Sequence, residues 1–240
     1  MSAIWQSEFI YVNPWLMKNP AIQQSYDALF ARWGEQRWWP GRTRLEMMLG
    51  AILTQNTAWT NVEKAIANLR RNHALKFQTL EKASQEQIAE WIRPAGYFNQ
   101  KAGYIKGMVE NIGNFGTLNQ LFALDTPTLR KELLSWKGIG PETADSILLY
   151  AAKRPVFVVD AYTKRFLSRH GWCDKKASYD SVAKLFTDNL PENVQLYNEY
   201  HALIVRLCKE HCNTKPKCAG CPLEPFLYHP QKPSGRKEER

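Results

Sequence analysis

The sequence predicts an all-α protein on three observations. Apolar residues recur at helical spacing through most of the chain. Proline and glycine fall between those segments rather than inside them. The only strand-like run, Val156-Phe157-Val158-Val159, is too short to imply a sheet. Taken in order, Leu45, Met48, Leu49 and Ile52 share one helical face, and Val62, Ile66 and Leu69 share another. Leu129, Leu133 and Leu134 repeat the pattern, as do Ala144, Ile147, Leu148 and Ala151. Breaks are expected at Pro40-Gly41, Pro94-Ala95-Gly96, Gly113 to Gly116, Gly138 to Pro141, Pro155 and Pro191. The valine-rich run reads as a buried connector into a helix over Tyr162 to His170. The closing QKPSGRKEER reads as a frayed, charged tail.

The 240 residues are 44% hydrophobic and 23% charged, a globular balance that excludes disordered and collagen-like chains. That length can bury one large core or two smaller ones. No stretch approaches the ~18 apolar residues of a membrane span. The N-terminus lacks a basic region and carries Glu8 in its apolar part, so it does not read as a secretory signal, and a cytoplasmic, monomeric protein is expected. The net charge of +9 favours a polyanionic partner, of which nucleic acid is the commonest, against the plainer reading of a generally basic surface. Nine Trp and ten Tyr supply faces on which bases can stack, although most serve a core.

Four of the five cysteines, Cys208, Cys212, Cys218 and Cys221, crowd together as C-x3-C-x5-C-x2-C, and Cys173 stands apart. In a reducing compartment crowded thiols more often hold a metal than pair as disulfides. Tetrahedral thiolate coordination suits zinc or an iron–sulfur cluster. Pro216 and Gly220 bend the loop between the last three, and Cys208 and Cys212 are spaced to share a helical face.

The segment Trp136-Lys137-Gly138-Ile139-Gly140-Pro141-Glu142-Thr143 reads as a helix end, a glycine turn and a new helix with proline in its first turn. Free N–H groups at that helix start form an anion site, able to hold a backbone phosphate without reading sequence, with Lys137 adding charge. A plain glycine-capped corner is the competing reading. Some twenty residues later Val158-Val159-Asp160-Ala161-Tyr162 places a carboxylate just ahead of a helix. Asp160 is expected to be an N-cap, and read with the hairpin it is also a candidate to stabilise positive charge on a sugar or to activate water.

Four motifs in order, L-G-A-I-L-T-Q-N-T, K-G-I-G-P-E-T-A-D, V-V-D-A-Y and the terminal cysteines, resemble the helix–hairpin–helix DNA glycosylase superfamily of endonuclease III type over roughly residues 25–227. The resemblance implies two all-α domains with a DNA-binding cleft between them. One is a helical barrel over 45–153 that carries the hairpin. The other joins 1–44 to 154–227 and carries the cysteine loop, leaving 228–240 as a tail. It implies that Asp160 is the catalytic carboxylate, that Lys137, Gly138, Ile139 and Gly140 contact DNA, and that Gln55-Asn56 lies where a polar wedge fills the gap left by a flipped base.

Departures from the family pattern narrow the reading. Where bifunctional members carry the Schiff-base lysine, this chain has Glu142, and a carboxylate cannot form an imine. Ala51 stands where the adenine-mismatch branch carries a glutamate. Trp38-Trp39-Pro40 together with Trp59 is most similar to the 3-methyladenine DNA glycosylase group, which sandwiches the flipped base between aromatic side chains. An electron-poor alkylated purine suits indole faces. The family's [4Fe–4S] loop is spaced C-x6-C-x2-C-x5-C, whereas here the last position is Leu227, and Cys208 is the candidate replacement ligand. His201 reads as core, and Arg93, Lys101 and Lys106 as solvated.

The expectation is therefore a monofunctional glycosylase acting on double-stranded DNA that contains a damaged base, with a [4Fe–4S] cluster on Cys208, Cys212, Cys218 and Cys221. Its rivals are a glycosylase for oxidised or mismatched bases, with or without lyase activity, and a non-catalytic DNA-binding module.

Overall fold

The computed structural model describes residues 19–36, 38 and 41–226. Every regular element among them is helical, and no strand is present. The chain runs α1 (Pro20–Trp33), α2 (Arg44–Leu53), α3 (Trp59–Arg71), α4 (Phe77–Lys82), α5 (Gln85–Trp91), α6 (Phe98–Asn114), α7 (Leu118–Leu121), α8 (Thr126–Ser135) and α9 (Pro141–Ser146). A π-helical turn (Ile147–Ala151) extends α9, and α10 (Ala161–Arg169), α11 (Tyr179–Thr187) and α12 (Val194–Glu210) complete the fold.

Caps fix most helix starts. Asn19, Thr43, Ser84, Asp125, Ser178 and Asn193 each accept a backbone N–H in the first turn, and Pro20, Pro127 and Pro141 sit where a helix has no N–H to lose.

Two apolar cores form. The first is built by α2, α3, α5, α6, α8 and α9 around Met48, Leu49, Val62, Leu69, Ile105 and Leu133. The second gathers α1, the connector and α10 to α12 around Ile22, Leu29, Phe157, Phe166, Tyr197, Tyr200 and Leu203. The connector is irregular backbone with Phe157, Val158 and Val159 buried, and Phe157 stacks on Phe186 at 3.7 Å. Its apolar character thus serves packing rather than pairing. The π-helical turn lies where the two cores meet: Ile147, Leu148 and Ala151 belong to the first, Leu149 and Tyr150 to the second.

Candidate active site

The site is assembled from four places far apart in sequence. The first is Asp160. Its Oδ1 accepts from the Thr163 N–H (2.7 Å) and hydroxyl (2.8 Å), so it caps α10 as its position predicts. Those two bonds fix the carboxylate and leave Oδ2 pointing elsewhere. Its side chain is 14% exposed. Burial pushes the carboxyl up, but His201 and the Thr163 donors outweigh it and hold it below the usual carboxylate value. Asp160 is therefore ionised at neutral pH.

The second place is α12, whose inner face delivers His201. As its core reading predicts, His201 is buried, and its Nε2 lies 3.5 Å from Asp160 Oδ2. The separation is a charge contact rather than a formed hydrogen bond, since Nε2 has no hydrogen-bond partner among the described residues. Nδ1, on the ring's other side, lies 2.6 Å from the Tyr150 hydroxyl. Tyr150 comes from the π-helical turn, a distortion found disproportionately at functional sites. Burial, then the nearby Asp160 charge, pushes the phenol well above its ordinary pKa.

The third place is the aromatic wall. The Trp38 ring meets His201 edge-on at 6.4 Å and faces Trp59 at 6.2 Å with a 31° tilt. Trp59 opens α3 and donates its indole N–H to Glu63 (3.0 Å). Trp38 Nε1 is buried without a hydrogen-bond partner among the described residues. Trp39 and Pro40 lie outside the described residues.

The fourth place is the hairpin between α8 and α9. Gly138 has φ +85°, and a Cβ there would strike the Tyr104 ring at 2.4 Å, so only glycine fits. At Gly140 a Cβ would meet nothing within 4 Å, so that face of the turn is open. Lys137 is exposed and Ile139 is buried. Gln55 donates to Gly138 O (2.8 Å) and Thr143 Oγ1 (3.0 Å), binding the turn after α2 to the hairpin. Its amide is committed to protein. Asn56, exposed with φ +50°, forms the tip of that turn. Glu142 opens α9 and stays open to solvent, yet protein crowds it on the cleft side. That crowding, then the Asp160 charge, raises its carboxyl against the opposing pull of His201. Asp160 is thus near enough for its charge to bear on Glu142.

Two lysines correct their solvated reading. Lys101 is buried and donates to Leu53 O (2.8 Å), Thr57 Oγ1 (2.7 Å) and Ala95 O (2.9 Å), pinning the turn that carries Gln55 and Asn56. Lys106 donates to Glu81 O (2.9 Å) and Ala83 O (3.0 Å) at the end of α4. Arg93 is exposed, as expected, and pairs with Glu90.

The cysteine loop lies apart from this cleft. Cys212, Cys218 and Cys221 line a cavity of about 200 Å³ with Arg169, His170, His211 and Lys217. Arg169 Nη1 is 3.2 Å from Cys212 Sγ. The neighbouring Cys208 thiol and the guanidinium of Arg169 outweigh burial and draw the Cys212 thiol below its ordinary value. A thiolate there fits a soft metal or cluster. Cys208 does not share a helical face with Cys212, because α12 ends at Glu210 between them. It is buried, outside the cavity lining, with its thiol 3.5 Å from Tyr162 O. No group of three donors closes at metal spacing among the described residues, and Leu227 lies outside them.

Comparison with known proteins gives a consistent result. Residues 49–192 match the family model of the HhH-GPD superfamily base excision DNA repair protein. A Methanocaldococcus jannaschii protein, described provisionally as a DNA repair glycosylase, is 47% identical over 208 residues, covering 85% of this chain and 94% of its own. Endonuclease III of Sulfolobus acidocaldarius is 30% identical over 194 residues, covering 79% and 84%. Among solved structures, the H. pylori 3-methyladenine DNA glycosylase MagIII, bound to 1,N6-ethenoadenine, superposes with a TM-score of 0.67 at 31% identity, covering 79% of this chain and 94% of that one.

Proposed function

Because the chain belongs to the HhH-GPD superfamily of base-excision DNA repair glycosylases, we propose that it excises alkylated purines such as 3-methyladenine from double-stranded DNA by hydrolysis alone, without cutting the strand. The carrying observation is Trp38 facing Trp59 beside an ionised Asp160. An alkylated purine is cationic or electron-poor and already a good leaving group, so an indole wall binds it and one carboxylate suffices to stabilise the oxocarbenium-like sugar. The likeness to MagIII, whose bound ligand is a modified adenine, supports the same class. In this reading the hairpin residues Lys137, Gly138, Ile139 and Gly140 hold a phosphate of the backbone. Asn56 enters the gap left by the flipped base, and Gln55 serves from behind by holding hairpin and turn together. The two apolar cores support a division into a barrel domain and a domain of joined termini, with the cleft at their seam.

Glu142 supports the hydrolytic reading, since the lyase reaction needs an amine at that position. For the cysteine loop the proposal is a [4Fe–4S] cluster on Cys212, Cys218 and Cys221, with Cys208, the remaining cysteine of the crowded four, as the fourth thiol. Its part is structural, holding Lys209, Lys215 and Lys217 against DNA.

The test is incubation with alkylated duplex DNA and analysis of released bases and of strand length. Free 3-methyladenine without nicking, lost in Asp160→Asn, is expected. Nicking without alkali would overturn the argument from Glu142. Binding with no base released from any lesion would leave a DNA-binding module.

A further inference from the structure

His201 is buried, and its Nε2 is directed at the catalytic carboxylate without completing a hydrogen bond to it. A buried N–H left in this condition costs stability unless something pairs with it during function. The tautomer is fixed by its neighbours. The Tyr150 phenol keeps its proton, being pushed well above its ordinary pKa by burial and the Asp160 charge, and donates it to Nδ1 at 2.6 Å. The opposite tautomer would aim a bare Nε2 lone pair at an anion 3.5 Å away. Nε2 therefore carries hydrogen. Asp160 Oδ1 is already saturated by Thr163, which leaves Oδ2 as the working oxygen. Nε2 is closed to solvent in this structure, so the water enters when the slot opens; the 3.5 Å edge between Nε2 and Oδ2 is then the base of a triangle that it closes at about 2.8 Å from each. Trp38 meets the same imidazole edge-on, so the base slot adjoins that position.

We propose that His201 Nε2–H and Asp160 Oδ2 together hold the water that attacks the sugar, with Tyr150 fixing the imidazole in the donating tautomer. This rests on the glycosylase reading above and adds a water-holding residue to it. The water accepts from His201 and donates to Asp160, which leaves its remaining lone pair free for C1′ of the flipped nucleotide. As the C1′–N bond breaks, its electron pair leaves with the purine. The water oxygen forms the C1′–O bond, and its proton passes to Asp160 Oδ2, which later releases it to solvent. The carboxylate thus has two separable tasks, opposing the charge on the sugar and taking the proton. His201 bears only on the nucleophile.

Those tasks can be measured apart on whichever lesion the unmodified protein excises. His201→Phe is expected to slow single-turnover base release on the order of 100-fold, the scale of a misplaced reacting group. It should leave affinity for DNA containing a cationic pyrrolidine abasic analogue unchanged. Asp160→Asn should lose both. His201→Gln, whose amide still donates, should recover part of the rate. Tyr150→Phe, which removes one hydroxyl without altering ring packing, gives a second reading through a smaller loss of rate and covers the case in which His201→Phe does not fold. Base release at the unmodified rate in the His201 and Tyr150 variants would overturn the proposal. So would a fall in analogue affinity matching that of Asp160→Asn, since His201 would then act only by bracing the carboxylate. An unmodified protein that excises no lesion would remove the glycosylase reading itself, a result distinct from either.

Discussion

Glu142 is the residue whose exchange says most about the chemistry. It opens α9 on the cleft side, where its carboxyl feels the charge of Asp160. Glu142→Lys places an amine there, beside an ionised carboxylate, and is expected to confer strand cleavage detectable on a denaturing gel without alkali. Borohydride should then trap a protein–DNA adduct absent from the unmodified protein. Asp160 gives the pH dependence. Its folded pKa lies below the unfolded value, so its ionised form and the stability it brings are complete above the ordinary carboxylate range. Both are lost as pH falls through the depressed value. Base release should therefore hold constant from neutrality into mild acid, with the acid limb shifted below that of a free aspartate. Asp160 was readable because it follows an apolar run and precedes a helix. Its contact with His201 was not, because a lone histidine among Tyr200, Leu203 and Ile204 on a helix reads as packing, which it also is, and Asp160 lies 41 positions upstream.

Among the elements, the turn between α2 and α3 depends on a lysine that no local pattern reveals. Lys101 reaches across from α6 to three oxygens, two of them backbone carbonyls at the ends of α2 and of the Arg93–Ala95 turn. Burial draws its pKa down to about 8 from an unfolded value near 10.5. Between those two values the unfolded chain holds more protons than the folded one, so this group makes stability rise with pH across that window. Lys101→Met is expected to abolish that rise in urea titrations at pH 8 and pH 10. It should also lower stability by about 1–3 kcal/mol through unsatisfied oxygens. Periodicity revealed α2, α3, α8 and α9 because each turns one broad apolar face to a core. The short α4, α5 and α7 carry too few buried residues to write a period, although Ser84 with Gln87 and Thr117 with Gln120 mark the starts of α5 and α7.

At the scale of the whole molecule, one arginine ties the halves together. Arg130 on α8 forms a fork to the buried Asp145 on α9 (2.7 and 3.1 Å) and reaches Asp180 at the start of α11 (2.9 Å). Arg130→Met leaves Asp145 buried without its cation and is expected to cost about 3 kcal/mol in denaturant titrations at neutral pH. Burial already raises Asp145 against the pull of Arg130, and without that pull its pKa rises further. A carboxyl with a raised folded pKa favours the folded state at low pH, so the variant's deficit should shrink as pH falls. The cysteine loop makes a separate demand. Protein purified anaerobically is expected to show the broad visible absorbance of an iron–sulfur chromophore, lost in Cys212→Ser. A colourless protein containing zinc or no metal would remove the cluster assignment.

The union of α1 with α12 bears on how the protein is made. Ser25 and Tyr200 share a hydrogen bond across 175 positions, and Tyr26 stacks edge-on against the same tyrosine. A ribosome adding about 5–20 residues per second takes roughly 10–35 s to span that interval. For that time α1 is outside the tunnel without its mate, while the segment from α2 to α9 emerges with its own apolar interior complete. The nascent chain thus completes the hairpin between α8 and α9 before it acquires the imidazole beside Asp160, which arrives on α12.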